Sequence, residues 1–213
     1  MRNHIAVTYR TIARHGAVLP LIILGALTSL TLQVIFEFGP LWLVALAAPA
    51  VLFGPYWASL MSAGGLGGLL ADKIRMTKPK SVLVVVALML AASVVLTTTG
   101  WVVAVIVAQV VLVLLLGIAG IHAGAMLHDA VPSAIRAGVA SGAGTISWIG
   151  FLPFALTFGW VTQQYGMHAS GWMITAAILA VGGLLLWMSL RQPAAAVAAE
   201  IPALVPIPAA VAC

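Results

Sequence analysis

Long apolar runs, free of charge and separated by only a few polar or helix-breaking residues, constrain this chain more than any other feature. Val82–Leu96 reads VLVVVALMLAASVVL, and comparable runs recur along the sequence. A hydrocarbon layer about 30 Å thick needs roughly 20 apolar residues of helix to cross it. Six stretches meet that length, at 17–37, 47–71, 81–98, 101–123, 138–161 and 170–190. None alternates apolar with polar residues, and each is about twice the length of a barrel strand. The predicted fold class is an all-α integral membrane protein with six transmembrane helices.

Short breaker segments join the spans. Phe38-Gly39-Pro40 follows the first, Met76-Thr77-Lys78-Pro79-Lys80 the second and Thr97-Thr98-Thr99-Gly100 the third. His128-Asp129-Ala130-Val131-Pro132 precedes the fifth span, and Gln163-Gln164-Tyr165-Gly166 the sixth. Three regions result: a basic lead-in over 1–16, the membrane domain over 17–191, and an Ala/Pro-rich tail over 192–213. Four prolines in the tail (Pro193, Pro202, Pro206 and Pro208) make it too broken to span, so it is expected to be mobile.

Composition excludes most other classes. Only 6% of the residues are charged and 63% are hydrophobic, whereas soluble domains carry about a quarter charged residues. The net charge of +5 arises from few charges of either sign, not a dense basic patch, so no nucleic-acid partner is expected. Cys213 is the single cysteine, which leaves no intramolecular disulfide. No His, Asp or Glu cluster with metal-ligand spacing is present, so neither a metal nor another cofactor is expected.

The basic residues set the orientation. With six spans, the amino terminus, the second–third loop, the fourth–fifth loop and the carboxyl terminus share one side. Arg2, Arg10, Arg14, Lys73, Arg75, Lys78, Lys80, Arg136 and Arg191 all fall there. The positive-inside rule makes that side cytoplasmic and both termini internal, in a multi-pass protein of the plasma or inner membrane. Trp42, Trp101, Tyr165 and Trp172 fall near the opposite interface, where aromatic belts form.

Two clusters stand at the cytoplasmic ends of the spans. In Gly64-Gly65-Leu66-Gly67-Gly68-Leu69-Leu70-Ala71-Asp72-Lys73-Ile74-Arg75, Gly64 and Gly68 are four apart and predict a close helix approach. Asp72 is then either a latch for a cationic partner or part of a charge cluster that stops the helix at the interface. The second cluster runs from Asp129 through Pro132 to Arg136, then into the small residues Gly138, Ser141, Gly142 and Gly144. Asp129 or Ser133 can cap the helix that follows. Arg136 is either the partner of Asp72 or an interfacial arginine on lipid phosphate.

Taken together, these segments resemble the carboxyl-terminal six-helix half of a major facilitator superfamily (MFS) transporter. Gly68-Leu69-Leu70-Ala71-Asp72-Lys73 looks like that family's cytoplasmic loop signature, and Arg75 stands where the family often has a further glycine. Asp129-x-x-Pro132-x-x-x-Arg136 resembles the start of the helix two spans later. Tyr9–His15 and Glu37-Phe38-Gly39-Pro40-Leu41-Trp42 look like the linker and first helix of such a half. The resemblance implies transport of a small molecule, with proton-coupled efflux as the family's expected mode. It also implies a conformational latch made of Gly68, Asp72, Lys73, Arg75 and Arg136. Since such transporters have two six-helix halves, the expectation is a half-length chain that either lacks its amino-terminal half or pairs as a homodimer. The alternative is a truncated, non-transporting remnant or an accessory membrane subunit.

Polar groups inside spans are the candidates for a substrate or proton pathway. Glu37, with Gln33, Thr31 and Thr28 on or near its helical face, can exchange protons with an outward cavity or simply be solvated. Gln109 can line a cavity or bond between helices. Thr145, Ser147 and Trp148 can line a cavity, although hydroxyls also bond their own helix. His122 and His128 are expected at the interface. No enzyme is expected: Ser141 lacks the glycine spacing and mid-span histidine of an intramembrane serine protease, and Asp72 and Asp129 are both interfacial.

Overall fold

The computed structural model describes residues 18–74, 76, 78–131 and 133–191. The lead-in with Arg2, Arg10 and Arg14, the residues Arg75 and Pro132, and the tail with Cys213 lie outside the described residues. The described residues form six α-helices: α1 (Val18–Ala45), α2 (Phe53–Ala71), α3 (Pro79–Thr98), α4 (Val102–Ala130), α5 (Ser133–Tyr165) and α6 (Met167–Arg191). A short 3-10 turn, Ala50–Leu52, precedes α2.

Five of these helices are long and apolar enough to cross a membrane. The sixth, α2, is not: Gly54, Pro55, Tyr56, Trp57 and the run Gly64-Gly65-Leu66-Gly67-Gly68 dilute its apolar content over only 19 residues. The predicted second span thus forms as a helix, but a short and glycine-rich one.

The first span also differs from expectation. Phe38-Gly39-Pro40 was expected to end it, yet α1 continues through them to Ala45 with Pro40 inside. Proline removes one backbone donor, and packed neighbours in a membrane bundle can compensate for such a break. The carbonyl that loses its donor is that of Phe36, and the neighbouring backbone is braced from outside: Gln109 of α4 bonds the Gly39 carbonyl, and Phe38 and Trp42 pack on Phe158 of α5. Tertiary contacts thus override the local signal.

α1 ends instead at Ala45, and Leu46–Ala48 form the turn that closes it. The Ala48 amide donates to Leu43 and the Ala47 amide to Val44, the two bonds of a Schellman turn. Ala47 is held at φ 52°, a left-handed conformation that glycine adopts more readily. Its side chain is exposed, so Ala47→Gly is expected to stabilise the fold by about 1 kcal/mol. SDS titration of the protein in mixed micelles would measure it, and an unchanged midpoint would count against the turn.

The helices surround a central antiparallel pair, α1 and α4. α3 and α6 pack on each other and cover one side of that pair, α3 against α4 and α6 against α1. α2 flanks α4, while α5 flanks α1 and also touches α6. Exchanging α1–α3 with α4–α6 maps these contacts onto each other. The α1–α4 and α3–α6 pairs map onto themselves, α2–α4 onto α1–α5, and α3–α4 onto α1–α6. The α5–α6 pair has no counterpart of comparable extent. Since α1 and α4 run in opposite directions, the two triplets are inverted relative to each other.

The core follows this layout. Leu24, Val34, Leu43, Met89, Leu96, Leu112, Leu116 and Ile178 are all fully buried. Trp42 was expected in the interfacial belt, but it is buried and its indole Nε1–H donates to the Leu96 carbonyl at 3.1 Å. That carbonyl lies in the last turn of α3, where helical acceptors run short of donors. Trp101, Tyr165 and Trp172 are exposed.

Candidate functional site

One buried polar node ties three helices together near the end where α1 finishes and α2 and α4 begin. Gln109 of α4 is completely buried. The Tyr56 hydroxyl of α2 donates to its Oε1 at 2.5 Å, and its Nε2 donates to the Gly39 carbonyl of α1 at 3.3 Å. Both ends of the amide are therefore engaged, as a polar group away from water requires. Gly39 completes the fit, because a Cβ there would stand 2.6 Å from Gln109 Oε1 and closer still to Tyr56 Oη. In this conformation Gln109 joins helices and does not line an open cavity.

A second polar group joins α4 to α2 at the opposite end. His122 Nε2 lies 2.7 Å from the Ile74 carbonyl and 3.1 Å from that of Ala71. Both partners are acceptors, so Nε2 carries the proton. The ring thereby satisfies carbonyls left without donors where α2 ends. His122 was expected only at the interface, and sequence gave no sign of this partner. His128 is exposed.

The remaining candidates are spread along exposed faces. Gln33 Nε2 donates to Glu37 Oε1 at 2.8 Å, one turn along α1. Glu37 is exposed and Gln33 half-buried, while Ser29 is exposed one turn earlier, so a polar ladder lines one face of α1. Thr28 and Thr31 are buried and bond the carbonyls of Leu24 and Leu27. Trp57 of α2 stacks on Phe36, beside this ladder, at 6.4 Å. On α5, Trp148 and Thr145 are exposed, and Thr145 bonds only the Ser141 carbonyl of its own helix. Ser147 likewise bonds Ala143. Among the described residues, no hydrogen bond links Thr145 or Trp148 to Glu37, Gln33 or Gln109.

The latch residues are likewise separate within one chain. Asp72 and Lys73 are exposed at the end of α2. Arg136 is half-buried near the start of α5, where its Nη2 donates to the Val131 carbonyl at 3.4 Å and its Nε finds no partner. No ion pair joins Asp72 to Arg136 among the described residues, because α4 and α1 stand between α2 and α5. Gly68 is exposed with open space around it, as is Gly64. The close approach predicted there falls one position away, at Gly67, where a Cβ would meet the Leu114 carbonyl of α4 at 3.2 Å. The buried face of α2 runs Tyr56, Leu60, Ala63, Gly67, Ala71, and Gly64 and Gly68 lie off it.

Fold and composition together define a class, a multi-pass helical membrane protein. No family model, curated protein or solved structure matches the chain.

Proposed function

We propose that this chain is an MFS-type six-helix unit, with six spans and both termini cytoplasmic, serving proton-coupled transport of a small molecule, in the efflux direction. The observation that carries the reading is the inverted relation between α1–α3 and α4–α6. Many secondary transporters are built from inverted three-helix repeats whose central helices border the pathway. The polar ladder Ser29–Gln33–Glu37 stands on α1, one of those central helices. Glu37 is the only acid on the described part of α1, so it is the proton carrier in this reading.

The test uses the chain in proteoliposomes with a proton-sensitive dye inside and an imposed pH gradient. The panel comprises monosaccharides, amino acids, monocarboxylates and lipophilic cations. A class that collapses the gradient only in vesicles holding the chain supports transport. Glu37→Gln is then expected to cut that flux at least about tenfold, with insertion unchanged. No collapse across the panel would favour the accessory-subunit reading, and an undiminished flux in Glu37→Gln would remove Glu37 from the pathway.

A further inference from the structure

We infer that the rim where α3 begins and α6 ends seats an anionic phospholipid. Its phosphate meets Lys78, Lys80 and Arg191, and its acyl chains lie along the outward face of the α3–α6 pair. The inference rests on membrane insertion alone; neither transport nor the sidedness of the chain enters it.

Two close contacts fix how α3 and α6 lie. A Cβ on Gly171 would meet Thr97 Cγ2 at 2.9 Å, and one on Gly182 would meet Val86 Cγ1 at 2.5 Å. The step from 171 to 182 along α6 thus matches the step from 97 back to 86 along α3, so the helices are antiparallel. Carried on in that register, residues 188 and 190 stand opposite 80 and 78. The start of α3 and the last turn of α6 therefore share one rim. α1 and α4 cover the inner side of the pair. Leu83, Val84 and Leu88 of α3 and Leu179 and Leu190 of α6 are exposed, an apolar surface suited to hydrocarbon chains. Trp172 and Trp187 are also exposed on α6, about 22 Å apart along its axis. Indoles gather where hydrocarbon meets headgroups, so Trp187 sets the headgroup level at this rim.

Charge selects the occupant. Of the five described Lys and Arg side chains, three (Lys78, Lys80 and Arg191) stand on the rim, and all three are exposed. Neither α3 nor α6 contains an acid. The described acids belong to α1 (Glu37) and to the ends of α2 (Asp72) and α4 (Asp129). The Arg191 guanidinium lies over the Trp187 ring, 4.5 Å from its centroid, a contact that keeps the charge at headgroup depth. Cations gathered beside an apolar face suit a ligand that carries both a phosphate and hydrocarbon chains. A zwitterionic lipid brings its own ammonium and gains less from them. A free phosphate has no use for the apolar face.

Native mass spectrometry of the detergent-solubilised chain, titrated with phosphatidylglycerol or phosphatidylcholine of identical acyl chains, tests this. Wild type is expected to hold phosphatidylglycerol at least about tenfold more tightly, with the preference shrinking as salt rises. Lys78→Gln with Lys80→Gln and Arg191→Gln is expected to bring the two lipids to parity, with helix content by circular dichroism unchanged. The salt series uses wild type only, so it stands even where the triple variant folds poorly. Equal retention of the two lipids by wild type overturns the inference, as does a preference that persists in a folded triple variant. Displacement of phosphatidylglycerol by glycerol phosphate overturns it too, by making the ligand a soluble phosphate. None of these readouts involves a proton gradient, so a failed transport assay and a failed lipid seat are separate results.

Discussion

Gly39→Ala is expected to cost about 3 kcal/mol of stability, one of the two largest effects we anticipate. The added methyl would occupy the space that Tyr56 Oη and the Gln109 amide now fill, 2.6 Å from Gln109 Oε1. Neither neighbour can withdraw cheaply, because Tyr56 and Gln109 are buried and each satisfies the other. Displacing them leaves polar atoms unpaired in a low-dielectric interior, which adds to the steric cost. SDS-titration midpoints of wild type, Gly39→Ala, Tyr56→Phe and the double variant form a cycle that isolates this term. Tyr56→Phe alone is expected to cost about 1–2 kcal/mol through the lost bond to Gln109. Because the phenylalanine also clears the obstructing oxygen, the double variant is expected to lose less than the sum. Strict additivity would mean that the node does not control the fit of α1.

The second large effect falls at the α3–α6 interface. A Cβ on Gly182 would lie 2.5 Å from Val86 Cγ1 and 3.3 Å from Cγ2. Valine is β-branched and its χ1 is nearly fixed in a helix, so it cannot rotate away. Gly182→Ala is expected to cost about 2–3 kcal/mol by forcing α3 and α6 apart. Val86→Ala in the same chain clears the space and is expected to recover most of that loss. A midpoint for Gly182→Ala equal to wild type would show that the two helices separate without penalty.

Most of the helical framework was legible in the sequence, because the need to satisfy every backbone group in lipid turns long apolar runs into helices. All six predicted stretches form helices. What composition could not decide was whether the glycine-rich second one is apolar enough to cross unaided. Local signals failed where tertiary contacts outweighed them. Pro40 reads as a stop only until α4 and α5 are known to brace it. Gly64 and Gly68 share a spacing with many packing motifs, yet the register that matters runs through Gly67, and only the position of α4 reveals it. Gln109 was conspicuous as a lone amide in an apolar run. Its partners, 53 and 70 positions away, were not. Trp42 looked interfacial because an indole suits that depth; the carbonyl that draws it inward belongs to α3.

The distribution of cross-helix bonds also sets how the bundle can deform. α2 is riveted to α4 at both ends, by Tyr56 with Gln109 and by the His122 ring on the Ala71 and Ile74 carbonyls. Two fastenings that far apart leave neither rotation nor sliding between the two helices, so they travel as one plate. α5 lies against α1 through apolar contacts, with Phe38 on Phe151 and Phe158, Trp42 on Phe158, and Leu30 against Gly150. Among the described residues, its polar tether to another helix is the 2.8 Å contact between Thr162 and Ser170 of α6, at its far end. Aromatic surfaces shear at little cost, whereas buried hydrogen bonds must break. The α1–α5 seam is therefore one along which the bundle can shear, with the bonded end of α5 as its pivot.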